Sequence, residues 1–353
     1  MNTESAVMKR YSGAAFKPEA ALCCPVQYDT RYLKAIPAEV IEKDYGCGDP
    51  SRYLHPGETV LDLGSGTGKI CFIAAQVLGP TGRVIGVDMT DDMLAVARRN
   101  APIVAKTLGY ANVEFRKGRI QDLALDLEQL ESVLKSIPAT HDSIQPVAEE
   151  IASGLRERSP MIPDNSVDVV VSNCVLNLVD ATAKATLFRE LFRVIRPGGR
   201  AVISDIVSDQ VVPESLRNDP ILWSGCISGA FTEEGFLEAF LKAGFHGLRI
   251  AQRDTKPRQT VEGIEFRSVT IEAFKEAVTA TSGQYRTVMY QGPFAEVIDD
   301  HGNRLSRGIR TQVSEQSFRL LLQSPYASNI LSANAEAGEI NAPASCCDDS
   351  KCC

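Results

Sequence analysis

Two hydrophobic periods alternate along the first two-thirds of the chain. TVLDLGSG from Thr59 is a short apolar run ending in glycines, and TGKICFIAAQVLG spaces its apolar residues as a helix does. RVIGVDM is again a short β-branched run, and DDMLAVARRNA returns to the helical period. Strand, helix, strand, helix in this order implies a parallel sheet covered on both faces by helices. Further strands are expected at Val113–Arg116, Val167–Ser172 and Arg200–Asp205. The last follows Arg196-Pro197-Gly198-Gly199, a turn signal that closes the helix LFRELFRVI.

Residues 122–162 break this rhythm with a polar, helix-leaning stretch, expected as an insertion on the surface. After Phe245 the pattern changes. GLRIAQRD and EFRSVTIEAFK read as strands, and the segment from VMYQGP to SFRLLL reads as strand, turn, strand and helix, so a second unit is expected here. From Ser332 the chain is Ala, Asn, Gly, Ser, Asp and Cys, too poor in apolar residues to pack, and a flexible Cys-rich tail is expected. The expected organisation is therefore an N-terminal segment covering the cleft (1–44), the main domain (45–250), a C-terminal domain (251–331) and the tail (332–353).

Composition narrows the functional classes. The 353 residues hold 45 Asp and Glu against 37 Lys and Arg, a net charge of −8 without long basic runs, so nucleic acid is not an expected partner. No stretch approaches the roughly 18 apolar residues that span a bilayer, and the N-terminus lacks an apolar signal core, so a cytoplasmic protein without a membrane partner is expected. Ten cysteines against four histidines is an unusual ratio for a reducing compartment, where thiols serve chemistry, metal binding or packing. The sequence leaves the oligomeric state open, with a monomer favoured.

The run Asp62-Leu63-Gly64-Ser65-Gly66-Thr67-Gly68 follows a strand and opens a helix, the context that a glycine-rich nucleotide loop requires. Asp88 ends the next strand, where a carboxylate accepts hydrogen bonds from ribose hydroxyls. Lys69 stands where a dinucleotide loop would carry its third glycine, which favours S-adenosylmethionine over a nicotinamide. Ile120, Gln121 and Asn173 are expected at the carboxyl ends of later strands, beside that ligand, and Tyr45, Met89 and Val175 complete the expected cofactor residues.

Four cysteine-bearing runs, Tyr45-Gly46-Cys47-Gly48, GSGTGKIC ending at Cys71, Ser172-Asn173-Cys174-Val175-Leu176-Asn177-Leu178 and Ser224-Gly225-Cys226-Ile227-Ser228-Gly229-Ala230, resemble in order the motifs of the arsenite methyltransferases. The resemblance runs from about residue 20 to 322 and extends weakly to VMYQGP and DDHGNR. Asp49 and Ser224 depart from the family pattern, as does the 122–162 insertion. The resemblance implies a class I methyltransferase fold, α/β and Rossmann-like, with a mostly parallel seven-stranded sheet and a smaller α+β C-terminal domain. It also implies methyl transfer from S-adenosylmethionine to arsenite, with arsenic held by residues matching Cys47, Cys174 and Cys226. An N-terminal cysteine matching Cys23 or Cys24 would take part in thiol exchange.

The chemistry agrees with this assignment. Trivalent arsenic is a soft centre that selects thiolates, and three sulfurs leave its lone pair free to attack a sulfonium methyl in line. Methylation oxidises arsenic, and a thiol pair restores the trivalent state by becoming a disulfide; Cys23 or Cys24 with Cys47 or Cys71 is the candidate pair, with glutathione or thioredoxin as outside reductant. The pairs Cys346-Cys347 and Cys352-Cys353 are candidates for arsenic capture or delivery. A methyltransferase acting on another small acceptor, and a thiol protein that only sequesters soft metals, are the competing readings.

Overall fold

The computed structural model describes residues 3–19, 22, 26–43, 45–136, 144–276 and 285–333. Cys23, Cys24 and the four tail cysteines, Cys346, Cys347, Cys352 and Cys353, lie outside the described residues. The chain forms two units, Met1–Ala277 and Val278–Cys353.

In the first unit the strands are β1 (Thr59–Leu63), β2 (Arg83–Asp88), β3 (Val113–Lys117), β4 (Val167–Asn173), β5 (Ile195–Ser208), β6 (Phe231–Thr232), β7 (His246–Arg253), β8 (Gln259–Val261) and β9 (Ile264–Phe274). The sheet runs β3-β2-β1-β4-β5-β9-β7, with β6 on β5 and β8 on β9. The first five strands along this path are parallel, and β9 is antiparallel to both of its neighbours, β5 and β7, so it alone on this path is reversed. β1, β2 and β4 are buried along nearly their whole length, as strands covered by helices on both faces must be, which is why their sequences are continuous Val, Leu and Ile runs. One face packs on a core containing Leu61, Phe188 and Phe240, and the other on a core containing Val60, Phe72 and Ala97.

Two helices frame the cleft at the carboxyl edge of the sheet. Lys69–Leu78 starts at Gly68, whose φ of 92° lets the chain leave the loop in the left-handed region. Asp91–Leu108 carries Asp91 and Asp92 in its first turn, where negative charge complements the helix dipole, and ends on Gly109 at φ 82°.

The structure corrects the expected domain boundary. β7 and β9 belong to the main sheet, so the second unit begins at 278 and not at 251. β9 is buried from Phe266 to Ala273, sandwiched between β5 and β7. Local periodicity identifies a strand but carries no information on which sheet accepts it. The insertion is also less peripheral than expected: its helix Leu127–Lys135 has no buried residue, yet Leu123 at its start and Met161 and Ile162 at its end lie in the main core. Among the described residues, no helix is long and apolar enough to cross a membrane.

The second unit contains the antiparallel strands β10 (Tyr285–Tyr290), β13 (Arg310–Ser314) and β14 (Ile330–Ser332), a hairpin of β11 (Glu296–Ile298) and β12 (Arg304–Ser306), and the helix Glu315–Leu321. Val288, Tyr290, Leu305, Val313, Leu321 and Ile330 form its own core.

Candidate active site

The glycine loop folds where β1 ends against β2. The Gly64 and Ser65 N–H groups donate to Val87 O at 2.8 and 3.0 Å, and Gly66 N–H donates to Asp88 Oδ2 at 2.9 Å. Gly64 has φ 66°, and a Cβ there would sit 2.5 Å from Val175 Cγ1, so the loop passes too close to the β4 end for any side chain. Asp88 also accepts from Thr90 N–H at 2.8 Å. Burial pushes its carboxyl above the usual range, and the N–H groups of Thr90 and Gly66 offset part of that shift.

Of the twelve residues expected around the cofactor, eleven line one cavity of about 1100 Å³ of empty space, open mouth included. Gly68 is the exception. A Cβ on it would lie 2.8 Å from the Phe115 ring and 3.1 Å from Phe72, so its absence of a side chain serves the packing of the loop on the sheet, behind the cavity. The sequence reading missed Thr67, Lys69, Thr90 and three residues of the helix Thr3–Phe16 that line the same cavity, Glu4, Val7 and Tyr11. Val7, Tyr11, Ala14 and Ala15 fall at helical spacing, a signal that could have marked an amphipathic helix here.

The cavity fits the expected group. Ser65 Oγ is buried without a hydrogen-bond partner, a donor awaiting a polar ligand, and Gly66 at φ 52° has no atom within 4 Å of where a Cβ would sit, leaving the backbone open to close approach.

Cys47, Cys174 and Cys226 are all buried and share one packed cluster. Cys47 Sγ, Cys174 Sγ and an Asp205 carboxylate oxygen lie within 4.8 Å of one another. Cys226 Sγ donates to Cys174 O at 3.0 Å, which brings the third cysteine against the Cys174 backbone. Cys174 and Cys226 both have φ 64°, in the left-handed region that non-glycine residues seldom adopt. Contact with the Cys226 and Cys47 thiols, followed by burial, holds the Cys174 thiol well above the ordinary thiol range, and burial raises Cys47.

Asn173 ties the end of β4 to the loop that carries Cys47. Its Oδ1 accepts from Cys47 N–H at 2.8 Å and Gly48 N–H at 2.9 Å, and its Nδ2 donates to Gly48 O at 2.7 Å. Cys47 O in turn accepts from Arg258 Nη2 and Ser268 Oγ, each at 2.8 Å. The flanking glycines permit this approach: a Cβ on Gly46 would lie 2.1 Å from Asn173 Nδ2, and one on Gly48 would lie 2.6 Å from Ser204 Oγ. Asp205 accepts the N–H groups of Leu176, Asn177 and Ile206 and the Asn177 side chain, at 2.7 to 3.3 Å. Burial pushes its carboxyl up to about 6, while burial lowers the ammonium of Lys184 to about 8.

Cys71 does not join this cluster. It packs in the core that contains Val60, Phe72 and Ala97 and donates to Asp62 Oδ2 at 3.1 Å. Trp223 is buried and donates Nε1–H to Leu178 O at 3.1 Å, a packing role as expected. A second cavity, about 1300 Å³ of empty space, opens on the far side of the thiols toward Lys256 and Arg258. Tyr11, Tyr45 and Cys174 line both cavities, so a cysteine stands at the wall between them.

A methyltransferase-domain family model matches residues 54–244, and a model for a domain of unknown function matches residues 278–352. The chain is 31% identical over 328 residues to an arsenite methyltransferase of Aquipseudomonas alcaligenes, covering 88% of this chain and 84% of that one. It is 40% identical over 259 residues to the arsenite methyltransferase of Halobacterium salinarum, covering 71% of this chain and 55% of that longer protein. The crystal structure of an arsenic(III) S-adenosylmethionine methyltransferase from Chlamydomonas reinhardtii superposes with a TM-score of 0.58 at 28% identity, covering 89% of this chain and 95% of that one.

Proposed function

The chain belongs to the arsenite methyltransferase family, and from that membership we propose that it methylates arsenite on a cradle made by Cys47, Cys174 and Cys226. What supports this reading is the gathering of three buried thiols, distant in sequence, in one packed cluster, with Cys174 among them lining the cavity that the glycine loop builds.

Arsenite enters as the neutral trihydroxide. Each thiol displaces one hydroxide as water, the thiol hydrogen leaving with it, so three sulfur–arsenic bonds form without net change in charge. Arsenic is soft and prefers these sulfurs to the neighbouring Asp205 oxygen. The Asn173 clamp holds the Cys47 loop on the β4 end, so that two of the ligands are preorganised before substrate arrives. Burial keeps water away from the arsenic lone pair.

S-adenosylmethionine, when bound, supplies an electrophilic methyl group. Asp88 would hold its ribose hydroxyls, and the loop from Asp62 to Gly66 with Ser65 Oγ would hold its amino-acid end near the N-terminus of the helix Lys69–Leu78. Methylation takes arsenic from the trivalent to the pentavalent state. Two electrons must return from thiols, which become a disulfide; Cys23 or Cys24 with Cys47 is the proposed internal pair, and glutathione or thioredoxin resets it. The role is detoxification in the cytoplasm, with the tail pairs Cys346-Cys347 and Cys352-Cys353 capturing arsenic.

The test is direct. Purified protein with arsenite, a thiol and labelled S-adenosylmethionine yields labelled methylarsenicals, and Cys47→Ser, Cys174→Ser and Cys226→Ser each lose that product while binding S-adenosylmethionine normally. Full turnover by the Cys174→Ser variant would refute the thiolate cradle.

A further inference from the structure

The short turn Leu176–Leu178, two residues beyond Cys174, is fastened to β5. Leu176 and Asn177 N–H donate to Asp205 Oδ2 at 2.9 and 3.3 Å. The segment that carries Cys226 docks on this turn. Trp223 Nε1–H donates to Leu178 O at 3.1 Å, and a Cβ on Gly229 would lie 1.9 Å from Asn177 O, so only glycine lets the two backbones meet there.

The fully buried Asn177 side chain makes the third link between turn and segment. Its Nδ2 donates to Asp205 Oδ1 at 2.9 Å, Ile206 O at 2.6 Å and Cys226 O at 3.2 Å. The amide cannot be turned over, because Oδ1 would then face three oxygens. As it stands, Oδ1 is buried without a hydrogen-bond partner among the described residues. An orphaned buried acceptor costs stability, and an apolar side chain would avoid that cost. What the amide contributes is a tie from the turn after Cys174 to the backbone of Cys226.

We propose that Asn177 is a positioning residue that holds Cys226 in place as the third sulfur ligand. The inference rests on the arsenite reading above. The other two thiols are held from the sheet: Asn173 clamps the Cys47 loop, and Cys174 N–H donates to Ser204 O at 2.8 Å. Cys226 comes from a segment between β5 and β6 and has no such strand beneath it. In the free protein its S–H donates to Cys174 O. That contact cannot persist, since the thiol hydrogen leaves with an arsenite hydroxide as water when the sulfur–arsenic bond forms. The Asn177 bond to Cys226 O does not involve the sulfur and survives the exchange. Asn177 thus keeps the third ligand close to Cys174 after the resting contact is gone, which lowers the ordering cost of three-point binding.

The experiment is equilibrium dialysis of full-length protein against arsenite, with arsenic counted by mass spectrometry. It compares wild type, Asn177→Ala, Gly229→Ala, Cys226→Ser and the Asn177→Ala, Cys226→Ser double variant. Gly229→Ala pushes the segment off Asn177 O and leaves the amide itself unchanged. Loss of the tie predicts arsenite affinity about three- to tenfold weaker in Asn177→Ala and in Gly229→Ala. In the Cys226→Ser background Asn177→Ala is expected to add no further loss. Neither residue lines the cofactor cavity, so S-adenosylmethionine affinity is expected to stay at the wild-type value. If Asn177→Ala does not fold, Gly229→Ala carries the test. Unchanged arsenite affinity in a folded variant overturns the proposal, as does an equal loss in the Cys226→Ser background or a parallel loss of S-adenosylmethionine affinity. Failure of both variants to fold places the pair in the scaffold and overturns it too. Wild-type protein that binds no arsenite, or binds it through fewer than three sulfurs by arsenic X-ray absorption, overturns the parent reading and this one with it; three-sulfur binding that the variants leave intact overturns this one alone.

Discussion

Replacing Asn173 by Ala tests whether the clamp between β4 and the Cys47 loop is what presents that thiol. The change strands the N–H groups of Cys47 and Gly48, which now donate to Oδ1 at 2.8 and 2.9 Å. Gly48 O keeps a partner in the Tyr28 hydroxyl at 3.3 Å, and Cys47 O keeps Arg258 and Ser268, so two orphaned donors are the whole deficit. A stranded buried donor costs about 1–3 kcal/mol, and water entering from the adjacent cavity recovers part of it, giving about 2–4 kcal/mol in total. For a unit spanning Met1–Ala277 that lowers the melting temperature by about 3–7 °C. Calorimetry measures the first effect. Arsenite dialysis measures the second, because a released loop must be ordered again for Cys47 to bind, and affinity is expected to fall at least about tenfold. A drop of less than about 2 °C with unchanged arsenite affinity would show that the loop is held by its other contacts and that the clamp argument is wrong.

Two further outcomes follow from the same geometry. Asp88→Ala removes the carboxylate that would face the ribose and also the acceptor of Gly66 and Thr90 N–H, so calorimetric titration is expected to find S-adenosylmethionine bound at least about tenfold more weakly; an unchanged affinity would remove Asp88 from the site. The thiols of Cys47, Cys71 and Cys174 are all raised in the folded state, so the stability tied to their neutral forms is complete below the unfolded thiol value of about 8.5 and is lost as pH rises through the folded values. Denaturant titrations are therefore expected to show stability falling from about pH 8.5 upward, with a shallower slope in Cys71→Ala; a stability flat to about pH 10 would contradict the burial argument.

Much of the main domain could be read from short-range pattern. The strand and helix periods from Thr59 to Asp205, the glycine loop and Asp88 all announce themselves within windows of a few residues, because a buried strand, an amphipathic helix and a left-handed turn each restrict residue type locally. The cysteine motifs likewise marked Cys47, Cys174 and Cys226, which the fold brings together.

Tertiary structure decided what depends on register and docking. Cys47 N–H and Asn173 Oδ1 are 126 residues apart in sequence, and only the position of β4 beside β5 brings them to 2.8 Å. Long-range placement likewise sets Asp205 beside two sulfurs, brings Tyr11 to the cofactor cavity, turns Gly68 away from that cavity and recruits β7 and β9 into the main sheet. The local sequence of a segment specifies what element it forms. Which neighbours it meets is set by the summed burial and hydrogen bonding of elements far along the chain, and no single segment carries that information.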